Sequence, residues 1–230
     1  MKKMSLLIMA FVALAGTGWA GTIINQNFDT GQISPGTDTP SAFTVNKFDT
    51  TLGALTRVTI SISLDSWGGS YQVENTTSPS TEVKGTMTQG VRGYVSGTRV
   101  PDALSSTSVA AGQNPSFDLL ATGDKFGVTG PVWASRNQAG PASANADSGD
   151  FGLYQASGSG TYVITFHSSQ NNSHNADGSV TFTGTSANSQ GFLTVTYEYT
   201  PTPEPTGMAL LALGFAAVGL RRRGRFAKKA

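Results

Sequence analysis

Along much of the chain apolar and polar residues alternate with a period of two. Val58, Ile60, Ile62 and Leu64 are interleaved with Arg57, Thr59, Ser61 and Ser63, and Leu193, Val195, Tyr197 and Tyr199 with Phe192, Thr194, Thr196 and Glu198. Alternation of this kind puts one side of an extended segment in a core and the other in water. Strands are predicted over these two segments and over 22–28, 41–48, 71–75, 81–88, 91–97, 151–154, 162–166 and 180–182, with a polar loop over 168–178. The stretches 103–113 and 138–147 carry alanine among Gly, Pro, Ser or Asn and read as loops. This many short strands between turn signals predicts an all-β fold, a single antiparallel β-sandwich or jelly-roll-like domain over 21–200, large enough to fold alone.

Composition sharpens that picture. With 28 Gly and 10 Pro in 230 residues, long helices through the middle are excluded. Charged residues make up 13% of the chain, about half of the roughly 25% usual for soluble domains, so the strands are polar without being ionic. There is no cysteine, which removes thiol nucleophiles, zinc–thiolate sites and disulfides together. The net charge of +1 hides a segregation of sign: two lysines stand at the N-terminus, six bases in the last ten residues, and all 14 acids between Asp29 and Glu204. The body from 21 to 205 therefore carries seven bases against 14 acids. It has no basic groove for phosphates, and nucleic-acid binding is not expected.

The ends read as addresses. Lys2 and Lys3, the apolar run Leu6–Ala15 and the small residues Gly18 and Ala20 make a secretory signal peptide over 1–20, with signal peptidase cutting between Ala20 and Gly21. At the other end Thr200–Pro205 has a proline at every second position, which gives an extended spacer and places the domain end near Thr200. Gly207–Leu220 is apolar on every face of a helix, so it predicts a hydrophobic helix rather than an amphipathic one. At about 1.5 Å per residue it covers roughly 21 Å, short of the roughly 30 Å hydrocarbon core. Arg221, Arg222 and Arg223 follow at once and favour the cytoplasmic side.

Pro203, Glu204 and Pro205, then the apolar run, then the arginine cluster resemble the PEP-CTERM sorting tail of exported proteins of Gram-negative bacteria. The resemblance covers about 201–230. It implies transient anchoring in the inner membrane, cleavage near the Pro–Glu–Pro tripeptide by an exosortase-type protease, and release to the outer surface or into extracellular polysaccharide. In the body, Lys47–Ile60, with Phe48, Asp49, Leu52, Gly53, Leu55, Val58 and Ile60, resembles a segment near the start of choice-of-anchor domains of the E type. That resemblance implies location and fold and adds no chemistry.

Candidate chemistry in the body is sparse. His167 and His174 lack metal-ligand spacing, and Ser157–Gly160 is a Gly/Ser turn rather than a nucleophile elbow. Glu74 and Glu82 could face each other across a hairpin mouth, as a glycoside hydrolase requires. Asp147 and Asp150, with Asn145 and Ser148, bunch oxygen donors of the kind calcium takes, but Asp and Asn beside Gly are chiefly turn formers, and no metal is expected. Trp67 and Trp133 are expected in Gly-containing loops rather than in strands, with Tyr71 close to the first, and aromatic faces there could stack on sugar rings. The sequence therefore reads as an exported, non-enzymatic β-domain without cofactor, having a structural or interaction role at the surface or in polysaccharide. A carbohydrate-binding module is the alternative, and a small glycoside hydrolase ranks below it.

Overall fold

The computed structural model describes residues 21–128 and 137–202. In chain order its strands are β1 (Thr22–Asp29), β2 (Thr39–Asn46), β3 (Phe48–Asp49), β4 (Gly53–Trp67), β5 (Ser70–Asn75), β6 (Val83–Ser96), β7 (Ser108–Gln113) and β8 (Ser116–Leu119). They continue as β9 (Lys125–Val128), β10 (Asn137–Asn145), β11 (Gln155–Ala156), β12 (Thr161–Gln170), β13 (Ser173–Ala176), β14 (Val180–Thr185) and β15 (Asn188–Pro201). The described helices are single turns at Asp102–Ser105, Ser148–Asp150 and Phe151–Tyr154. The fold is all-β with several antiparallel sheets.

Two sheets form the main body. One has the order β1-β15-β4-β10; the other has the path β13-β6-β12-β2, with β7 and β8 also paired to β6. The alternation in β4 and β15 sets their register, because Val195 lies opposite Ile60 and Leu193 opposite Ile62, all four fully buried on one face. These side chains share a core with Val91 and Val95 of β6 and Tyr162, Ile164 and Phe166 of β12. The sheets approach closely at Phe166, where a Cβ added to Gly191 of β15 would lie 2.2 Å from the ring. Any side chain there would push the sheets apart, and the close approach requires glycine.

A third sheet, β14-β5-β9, closes a second apolar cluster of Tyr71, Val73, Val83, Met87, Phe117 and Leu119. Strand β6 joins the clusters, since Val83 and Met87 face the second and Val91 and Val95 the first. The sequence expected two strands here, 81–88 and 91–97. One strand of 14 residues forms instead because β6 finds partners along its whole length.

Polar groups inside the main core are connected. The Tyr197 hydroxyl donates to Asn46 O at 2.9 Å and receives the Tyr162 hydroxyl at 2.9 Å. Burial pushes both phenols up, Tyr197 to about 12.

Several expected loops are strands. Segment 138–147 mostly belongs to β10, paired to β4; 103–113 holds a helical turn and β7; 168–178 contains β13. Their alanines, serines and asparagines carry little strand preference, and pairing with β4 and β6 decides the conformation. Segment 151–154, expected extended, is a helical turn that turns Tyr154 into the core against Tyr162.

Candidate functional site

The registers of β1 and β15 bring the two ends of the body to one edge of the molecule. Thr22 lies opposite Tyr199, and Pro201 opposite Gly53. The Thr202 N–H donates to Leu52 O at 3.1 Å, and its hydroxyl to Thr51 O at 3.3 Å. Gly53 permits this approach: it has φ of +155°, and a Cβ there would lie 2.1 Å from Thr200 O. The sheet thus holds the chain up to Thr202, one residue before Pro203, while Gly21 emerges from the neighbouring strand. Ala20, Pro203, Glu204, Pro205 and Arg221–Arg223 lie outside the described residues, as do the expected signal and C-terminal helices. Among the described residues no helix is long and apolar enough to cross a membrane.

The expected aromatic face does not assemble as a group. Tyr71 is an inward-facing residue of β5, 1% exposed, with its hydroxyl donating to Ser173 O at 3.0 Å and its ring against Phe182. Period-two alternation with Val73 places it in the second core, so it is closed to a sugar. Trp67 ends β4 and is half-buried rather than standing in a loop. Trp133 lies outside the described residues.

Each candidate carboxylate has a lysine partner: Glu74 pairs with Lys125 at 3.1 Å and Glu82 with Lys84 at 2.9 Å. Lys84 lowers the Glu82 pKa, chiefly by hydrogen bonding. Asp147 precedes and Asp150 ends the turn Ser148–Asp150, and both line, with Asp102, Asn145 and Tyr154, a cavity of about 200 Å³. Burial raises the Tyr154 phenol to about 12, and its hydroxyl donates to Arg99 O at 2.8 Å. Among the described residues no group of three or more His, Asp or Glu is arranged to hold a metal ion.

A constellation that the sequence did not reveal stands on the outer face of β6 and β12. His167 lies opposite Tyr94 of β6 and opposite Pro40 of β2, two residues after Asp38; Ser96 follows Tyr94 by two residues on the same face. His167 Nε2 is 2.8 Å from Ser96 Oγ, and its Nδ1 is 3.0 and 3.1 Å from the two Asp38 oxygens. The Tyr94 ring lies parallel to the imidazole, with centroids 4.6 Å apart, and the Arg92 guanidinium is 6.0 Å from the Tyr94 ring centre. Asp, His and Ser form one hydrogen-bonded line. His174, by contrast, stands on β13 and stacks on Phe182.

The comparisons with known proteins bear on the chain's end. The PEP-CTERM protein-sorting motif matches residues 201–223, starting at the last residue of β15. The motif implies a protein that is exported, held transiently in a membrane and processed by exosortase before display. No curated protein matches the sequence. Among solved structures, the T13 IBDV viral particle is 14% identical over 89% of this chain and 47% of that chain, with a TM-score of 0.23. Desmodium yellow mottle tymovirus is 10% identical over 80% of this chain and 91% of that one, with a TM-score of 0.18. The chain spans about half the length of the first, and at such TM-scores no fold assignment follows from either.

Proposed function

We propose that this protein is an exported β-domain sorted by its tail to the outer surface or extracellular polysaccharide of a Gram-negative bacterium, where it serves a structural or interaction role. The observation that carries the reading is the position of the sorting motif. It begins where β15 leaves the sheet, so a complete folded body is coupled directly to a processing segment. Signal peptidase frees Gly21 on the adjacent strand, and an exosortase-type protease cuts near Pro203–Glu204–Pro205. Both cuts then leave their ends at the same edge, and the rest of the surface faces outward.

We read the body as a β-sandwich of jelly-roll-like kind, supported by the shared core of the two large sheets. The segment Lys47–Ile60, which supplies β3, the turn at Leu52 and the start of β4, supports the likeness to choice-of-anchor domains. Polysaccharide contact, if made through an aromatic, falls to Trp67 and Trp133 rather than to Tyr71. Replacing Glu204 by Ala tests the reading: export continues, tail removal stops, and the uncut chain accumulates in the inner membrane. Normal release of Glu204→Ala would contradict it.

A further inference from the structure

We propose that Ser96 is a nucleophile, activated by His167 and oriented through Asp38, that cleaves short acyl esters carried on a hydroxylated polymer. This goes beyond a display role and departs from the sequence expectation of a non-enzymatic domain.

The argument begins with the protons. An ionised carboxylate only accepts hydrogen bonds, so Asp38 against Nδ1 selects the imidazole tautomer with its proton on Nδ1. That leaves the Nε2 lone pair facing Ser96 Oγ at 2.8 Å, and the serine hydroxyl donates to it. Nucleophile, base and orienting carboxylate thereby stand in the hydrogen-bonded order that acyl-transfer enzymes use for this trio. Their supports are rigid: Ser96 and His167 come from paired strands, Asp38 stands just before β2, which is paired to the same β12, and Tyr94 packs on the imidazole face. A site carried on strands holds its geometry better than one carried on loops. Burial does not demand the arrangement, because the Asp38 side chain is 46% exposed and water could satisfy it.

The chemistry balances with water as the second reactant. Ser96 Oγ attacks the ester carbonyl carbon while its proton passes to His167 Nε2, and the imidazolium is stabilised by Asp38. The tetrahedral adduct collapses, the carbon–oxygen bond to the alcohol breaks, and the departing oxygen takes the proton from Nε2. Water then attacks the acyl-serine with His167 as base, releasing a carboxylic acid and restoring Ser96.

The surroundings define the ester. Ser96 lies on an open sheet face, outside the cavity lined by Asp102, Asp147 and Asp150. Sites for free small molecules are concave, so a half-buried serine on a sheet face suits esters presented repeatedly along a polymer, whose local concentration replaces enclosure. Val163, half-exposed on β12, stands on the same face two residues from Thr165, the cross-strand partner of Ser96. It offers an apolar seat of a size for an acetyl-like group. Arg92 lies along β6 on the other side, over the Tyr94 ring.

The test uses the full chain purified in detergent, a fluorophosphonate probe and p-nitrophenyl acetate. The expected result is one covalent phosphonyl adduct, mapped to Ser96 and absent from Ser96→Ala, with ester turnover above that of Ser96→Ala and at least tenfold slower in His167→Gln. Because the chain has no cysteine, Ser96→Cys and Ser108→Cys give uniquely reactive single thiols on the same sheet face. Iodoacetamide should alkylate the first at lower pH than the second, since His167 draws its proton. No adduct at Ser96, or coincident alkylation profiles, would overturn the proposal.

Discussion

The edge where Gly21 and Thr202 emerge and the outer face of β6 and β12 both face solvent, yet they are held by different kinds of bond. The edge is fixed by backbone: the β15 ladder runs opposite β4 to Gly53, and Thr202 is tied to the carbonyls of Leu52 and Thr51. The face is organised by side chains, with Asp38, His167 and Ser96 joined in a line and Tyr94 packed against it. A backbone-held edge tolerates most side-chain changes and fails when the main chain is displaced. A side-chain line behaves in the opposite way, losing its chemistry with one atom group while the fold stands.

That contrast can be broken at either region. The largest effect on stability is expected at the edge, where Gly53→Val drives a side chain into the Thr200 carbonyl. It should cost about 3 kcal/mol in urea unfolding, as overpacking against main chain does. A loss below about 1 kcal/mol would show that β15 frays without consequence. Alkali gives the next effect. Tyr154 and Tyr197 have phenols raised to about 12 by burial, so in the folded state they hold protons that the unfolded chain releases near 10. Their contribution is fully present below pH 10 and is lost as pH rises toward 12. Tyrosinate absorbance should therefore lag in the native protein and appear together with loss of β-structure.

Within the core, Tyr197→Phe removes the donor to Asn46 O and the acceptor of Tyr162. About 1–2 kcal/mol should be lost, because buried partners are left unsatisfied. The smallest change in stability belongs to the face: His167→Gln should shift unfolding by about 1 kcal/mol or less, because the hydrogen bond it loses runs to a carboxylate that water can reach. Its ester turnover should still fall at least tenfold. A large loss of stability with unaltered turnover would reverse the comparison and make the line a structural clasp.

What was legible in the sequence follows from how locally each feature is encoded. Strands β4 and β15 could be read because large β-branched, leucine and tyrosine residues alternate with polar ones, and burial of one face alone accounts for that pattern. Strands β7 and β10 could not, since Ser108–Gln113 and Asn137–Asn145 are rich in small and polar residues and owe their conformation to neighbouring strands. Tyr71 was read correctly as part of a strand over 71–75 but was offered as a glycan contact because it lies close to Trp67, whereas its alternation with Val73 already pointed inward. The sorting tail was legible because its chemistry lies in consecutive residues.

The Asp38–His167–Ser96 line was hidden because its members are far apart in sequence and meet only through the registers of β12 with β2 and β6. In a chain crowded with serines no spacing distinguished Ser96. The single available signal was a histidine at the polar end of an alternating strand.

The most direct test of the central claim, that a folded β-domain is exported and then freed from its tail, is the intact mass with terminal peptides of the protein from membrane, outer-surface and medium fractions of its host. The account predicts a species that begins at Gly21, ends before Gly207 and lies outside the inner membrane. A species that keeps Arg221–Ala230 and stays in the inner membrane would contradict it.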